Sequence, residues 1–193
     1  MFGSMKSSLL PTTLVLAVGL FFTCPTSVQA ESVEKLQEQV TEALSMLKAK
    51  DSTFESAMNK AYGYVIFPSV GKGGFIIGGA GGEGLVYEKK KPIGKATLSQ
   101  ATIGAQIGGQ TFIEVILFSD RIAMNNFKKG KFEMSAGISA VAASEGVADK
   151  ADYENGMAVI ILPKKGLMAE ASIGGQKFDY TPIENSESKG EKD

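Results

Sequence analysis

The sequence predicts an α+β domain: a glycine-rich antiparallel β-sheet, closed or nearly closed as a barrel, with helices at its amino end and one short helix after Ser119. Three observations carry this. From Val33 to Lys48, apolar residues recur at three- and four-residue spacing, the period of a helix with one buried face. Beyond Ala61 the period changes to short apolar runs punctuated by glycine, and 20 of the 23 glycines lie between Gly63 and Gly175. Runs such as Thr102 to Gly108 repeat small residues on one face, which permits tight curvature around a narrow interior.

Residues 1–30 read as a secretory signal: Lys6 in the basic region, an apolar core from Leu14 to Phe22, and Val28-Gln29-Ala30 as the cleavage site before Glu31. The core is too short to span a bilayer. Cys24, the single cysteine, raises lipid anchoring as a minor alternative. The expected location is therefore exported, in the periplasm or peripheral on the envelope membrane.

Residues 31–183 then form one domain, helical over 31–60 and mainly β over 61–183, and 184–193 form a charged, disordered tail. In the first helix Val33, Leu36, Val40, Ala43, Leu44 and Leu47 share one side. Asp51 or Ser52 can cap a second helix, with Ser52 and Glu55 spaced as a capping box. The expected strands are Tyr62 to Phe67, Phe75 to Ala80, Gly84 to Tyr87, Gly94 to Ile103, Gly104 to Gln110 and Thr111 to Phe118. Ser119 can cap a helix presenting Ile122, Ala123 and Phe127 on one side. Strands resume at Lys131 to Ala142, Met157 to Leu162, Gly166 to Ile173 and Gln176 to Tyr180.

Gly71 to Gly84 holds eight glycines in fourteen residues, and Gly79 to Gly84 satisfies G-x-G-x-x-G. A pyrophosphate site needs a helix starting at the last glycine and an acidic residue about twenty positions on. Here Leu85-Val86-Tyr87 leads instead to the charged turn Glu88 to Pro92, and no Asp or Glu occurs from Lys89 to Ile113. No nucleotide site follows, and no cofactor is expected. Without histidine, and with cysteine only in the signal, the domain has no Cys/His metal cage, thiol nucleophile or imidazole base. A balance of 20 basic and 21 acidic residues gives no field for nucleic acid.

Four ordered blocks, Tyr64 to Phe75, the glycine-rich segment ending Gly82-Glu83-Gly84, Ile103 to Gln110 and Lys165 to Ala169, together resemble the SYLF lipid-binding domain family. The resemblance implies a non-catalytic module that binds membrane lipid, through phosphoinositides in eukaryotic members, some of which also engage actin. This chain differs: it has a signal, no SH3 or FYVE module, and Gly71 and Gly73 around Lys72. Phosphoinositide and actin are therefore not carried across, whereas an anionic envelope lipid is.

Lys72 matches the family's basic motif and stands among glycines whose amides can form an anion nest. Lys89, Lys90, Lys91 and Lys95 surround a second turn, and Lys128, Lys129 and Lys131 a third; taken alone, either cluster reads first as a solvated turn that discourages edge pairing. The expected lipid-binding residues are Lys72, Lys89, Lys90, Lys91 and Lys95. Three other readings stay open. A structural protein of the envelope would hold a protein partner on strand edges or the first helix. A small outer-membrane barrel lacks the tryptophan girdle. A carboxylate hydrolase would need Glu83 and Glu114 across a cleft, whereas Glu114 also fits an outward strand residue or a buried partner of lysine.

Overall fold

The computed structural model describes residues 26–74, 77–103, 109–130, 140–165 and 175–183. The chain runs α1 (Thr26–Lys50), α2 (Phe54–Lys60), β1 (Gly63–Gly74), β2 (Ile77–Glu88), β3 (Lys91–Ile103), β4 (Gln110–Phe118), α3 (Arg121–Lys128), β5 (Ala140–Ala142), β6 (Met157–Lys165) and β7 (Gln176–Pro182). The strands make one seven-stranded sheet in the order β5-β6-β4-β1-β2-β3-β7. Every pairing is antiparallel except β5 with β6, which is parallel.

The central strands are apolar on both faces because both faces are covered. In β4, Ile113, Val115 and Leu117 face one way, with Tyr64, Ile66, Leu85, Tyr87 and Ile160 of neighbouring strands. Against them lie Leu36, Val40, Ala43 and Leu47 of α1 and Phe54, Ala57 and Met58 of α2, the stripe that the helical period marks out. Phe112, Ile116 and Phe118 face the other way, with Val65, Phe67, Leu98 and Phe178 and with Met124 and Phe127 of α3.

On that second face the sheet curls. Strands β1 and β7 are three strand spacings apart, about 14 Å in a flat sheet. Yet the Phe67 and Phe178 ring centroids lie 5.8 Å apart, and Phe127 of α3 lies tilted against Phe178 at 5.3 Å. Two features of the glycine-rich region allow this. Pro68 sits in the central strand β1, where both ladders skip: β1–β2 from Ile66 to Gly71 and β1–β4 from Phe67 to Val70. Such a bulge spares the missing N–H and bends the strand. On the concave side of β2, a Cβ at Gly84 would stand 2.7 Å from the Ile66 carbonyl oxygen and 2.7 Å from the Phe67 ring. One at Gly82 would stand 2.7 Å from the Ser69 oxygen. These glycines let β2 close on the bulge, so the G-x-G-x-x-G pattern serves chain approach.

The curl does not close into the expected barrel. Among the described residues β7 pairs only with β3 and β5 only with β6, so both remain sheet edges. Two expected strands, Phe75 to Ala80 and Gly84 to Tyr87, merge as β2, because its glycines hydrogen-bond in register through Gly79, Gly81 and Gly82. The expected strands Gly104 to Gln110, Lys131 to Ala142 and Gly166 to Ile173 lie wholly or mostly outside the described residues, as do Cys24, nearly all of the signal region and the tail. No described helix is long and apolar enough to cross a membrane.

Two caps differ from expectation. The Ser52–Glu55 box does not form: Glu55 pairs with Lys48 at 2.8 Å, and Ser52 Oγ donates to Glu145 Oε1 at 2.5 Å. Asp51 instead turns the α1–α2 corner. Its carboxylate is wholly buried and accepts from the Thr53 N–H and hydroxyl (2.9 and 2.7 Å), the Gly146 N–H (3.0 Å) and the Ala148 N–H (2.8 Å). At α3 the cap is Asp120, accepting from the Ile122 and Ala123 N–H groups at 2.7 and 2.9 Å, with Ser119 donating to Asp120. The helix buries Ala123, Met124 and Phe127 and leaves Ile122 exposed.

Candidate functional site, a basic end of the sheet

The β2–β3 connection is a two-residue turn, with Glu88 opposite Lys91. Both turn residues are lysine and both have positive φ, 50° at Lys89 and 69° at Lys90. That is the backbone of a type I′ turn, which asparagine and glycine adopt at much lower cost. Lys89, Lys90 and Lys91 are all exposed at this tip.

Glu88, at the base of the turn, joins the tip to a second basic segment forty residues on. It accepts from the Tyr62 hydroxyl at 2.8 Å and forms an ion pair with Lys128, at the end of α3. The hydrogen bond from Lys128 and that from Tyr62 hold the Glu88 carboxyl below its ordinary range, against the opposing effect of burial. Lys129 follows at the C-cap, and Arg121, at the start of α3, is close enough to act on the Tyr62 hydroxyl. The end of the sheet thus gathers Lys89, Lys90, Lys91, Arg121 and Lys129, none of which forms an ion pair among the described residues. Beside them stands Ile122, 72% exposed.

The other expected site residues lie elsewhere. Lys72 is in an extended strand, paired to Ala80 on one side and Gln110 on the other, so the expected turn and its anion nest are absent. Ladder pairing explains this: Gly71 and Gly73 hydrogen-bond like other strand residues and take no positive φ. From Ala80, opposite Lys72, to Glu88 is eight residues of β2, about 26 Å. Lys72 and the Lys89 turn therefore stand at opposite ends of the sheet. Lys95 is half-buried within β3, between Leu85 and Thr181, and takes no part in the turn.

Glu83 and Glu114 do not face each other across a cleft. Glu83 is exposed on β2, whereas Glu114 is wholly buried inside the curl. Its partner is Gln176, whose Nε2 donates to Glu114 Oε2 at 2.9 Å, in place of the expected lysine. Burial pushes the Glu114 carboxyl up to about 7, against the lowering effect of that hydrogen bond. Sequence reasoning missed Gln176 and Gln100, which lie opposite each other on β7 and β3 and are buried in the same interior. A polar residue in the apolar register of each strand was the signal available. No group of side chains able to hold a metal ion occurs among the described residues.

Residues 99–191 match the family model Ysc84, described as "Las17-binding protein actin regulator". Beta cell expansion factor A of Aeromonas veronii is 32% identical over 139 residues, 70% of this chain and 52% of the relative. The chain therefore spans about half the length of the curated relative it matches. The two matches overlap the glycine-rich sheet described above, and through them the chain belongs to the SYLF (Ysc84) family.

Proposed function

We propose that this protein is a non-catalytic, peripheral lipid-binding module of the cell envelope. It meets anionic headgroups with the end of the sheet that carries Lys89, Lys90, Lys91 and Lys129. The observation that supports this reading most is the Lys89-Lys90 turn, which keeps two lysines where Asn-Gly is the low-cost choice. Strain retained at an exposed tip is a pointer to function. Membership of a family associated with lipid binding supports lipid as the ligand class. The proposed setting is outside the cytoplasm, following the signal-like residues 1–30.

A lysine near an anionic surface contributes about 1 kcal/mol. Four exposed lysines and Ile122 together suit reversible, salt-sensitive docking. The test is co-sedimentation with phosphatidylcholine vesicles, with and without phosphatidylglycerol, at low and high salt. Binding should require phosphatidylglycerol and fall as salt rises. Binding indifferent to both sinks the proposal and favours a protein-binding role in the envelope.

A further inference from the structure

The interior of the curl contains a polar pair that the docking surface does not use. Strands β4 and β7 are four strand spacings apart in the sheet, about 19 Å if it were flat. The curl brings them face to face, and Glu114 meets Gln176 there through the 2.9 Å bond from Nε2 to Oε2. Both side chains are wholly buried. The second oxygen of each, Glu114 Oε1 and Gln176 Oε1, has no hydrogen-bond partner among the described residues. Two buried acceptors left without donors are costly, and a proton on Glu114 supplies a donor that Gln176 Oε1 can accept. A carboxylic acid donates from its hydroxyl to an amide oxygen while the amide N–H₂ donates back to the acid carbonyl.

We propose that Glu114 is held protonated and forms a cyclic acid–amide clasp with Gln176, which fastens the edge strand β7 onto β4, and that loss of this proton releases the clasp. The proton resides on Glu114 Oε1 and passes to water when the seam opens. Among the described residues no ladder hydrogen bonds join β4 to β7, so this pair is a polar link across a seam that is apolar apart from Gln100 on β3.

No charged group competes for Glu114 among the described residues. From β4 it is flanked by Phe112 and Ile116, from β1 by Val65 and Phe67, from β6 by Val159 and Ile161, and from α3 the same interior receives Met124 and Phe127. On β2 and β3 the inward positions are Ala80, Val86, Ala96, Leu98 and the uncharged Gln100. The titratable groups at the rim are Tyr180, whose hydroxyl donates to the Ile93 oxygen at 3.0 Å, and Tyr62, whose hydroxyl donates to Glu88. Burial is thus the leading influence on the Glu114 carboxyl, raising it from 4.5 to about 7.

The sign follows. Between pH 4.5 and 7 the closed seam binds a proton that the opened one has released, so closure weakens as pH rises and levels off above 7. The closed-to-open ratio should fall by about 300-fold across that window. Hydrogen exchange of the β7 amides, corrected for intrinsic rates, reads this ratio in the parent, in Glu114→Gln and in the swap Glu114→Gln with Gln176→Glu. The single variant keeps a cyclic pair without a titrating proton and should abolish the pH step; the swap should restore it. Carbon-13 NMR should place the parent Glu114 carboxyl near neutrality. A parent carboxyl in the ordinary range overturns the clasp. So does a pH step that persists in Glu114→Gln, because another group would then supply it.

Discussion

Replacing Lys89-Lys90 with Asn-Gly separates what the β2–β3 turn does for the fold from what it does for docking. Each lysine holds a φ that L-residues other than Gly, Asn and Asp avoid, at a cost of about 1 kcal/mol or more. Asn-Gly adopts the same turn without that cost. The double variant should therefore be more stable by about 1–2 kcal/mol, since neither lysine forms an ion pair among the described residues that the exchange would remove. The same change deletes two charges from the basic end, each worth about 1 kcal/mol at an anionic surface, so vesicle affinity should drop about 30-fold. Urea denaturation gives the first quantity and co-sedimentation at low salt the second. A variant no more stable than the parent refutes the strain argument; one that binds as tightly refutes the docking surface.

Asp51→Ala should cost about 2–4 kcal/mol in denaturant unfolding, because it strands the buried Ala148 N–H and the half-buried Thr53 and Gly146 N–H groups. Burial raises the Asp51 carboxyl, but the hydrogen bonds from Thr53, Ala148 and Gly146 outweigh it and hold it below 3.8. Its stabilisation is therefore present above pH 3.8 and lost as pH falls through the lower folded value, the reverse of Glu114. In an acid titration the Asp51→Asn variant should lack that loss. Gly84→Ala should destabilise by about 1–3 kcal/mol, since its Cβ meets the Ile66 oxygen and the Phe67 ring at 2.7 Å. A neutral result in thermal unfolding would mean that β2 can move off the β1 bulge.

Periodicity made the helical face of α1 and the run of β4 readable, because each is set by which side meets the core. What escaped the sequence depends on partners far along the chain. Ser52 and Glu55 are spaced as a box, but Glu145 and Lys48 engage them, and Asp51 is drawn to the 146–148 segment. Glycine density around Lys72 suggested a turn; the register places those glycines in a ladder, where close approach of β2 to the Pro68 bulge needs them. The lysines of the Lys89 turn were readable as a cluster, and so were Lys128 and Lys129. That Glu88 brings them together, forty residues apart, was not. Glu114 stood out in an apolar strand, while its partner Gln176 becomes meaningful only once the sheet curls.

Charge reversal at each end of the sheet decides which end meets the anionic surface. Lys89→Glu with Lys90→Glu and Lys91→Glu alters the basic end, and Lys72→Glu the opposite end, about 26 Å away along β2. Co-sedimentation with phosphatidylglycerol vesicles at low salt should show the triple variant unbound and the Lys72 variant close to the parent. Loss of binding in the Lys72 variant with the triple variant unaffected would contradict the account and move the docking surface to the glycine-rich end.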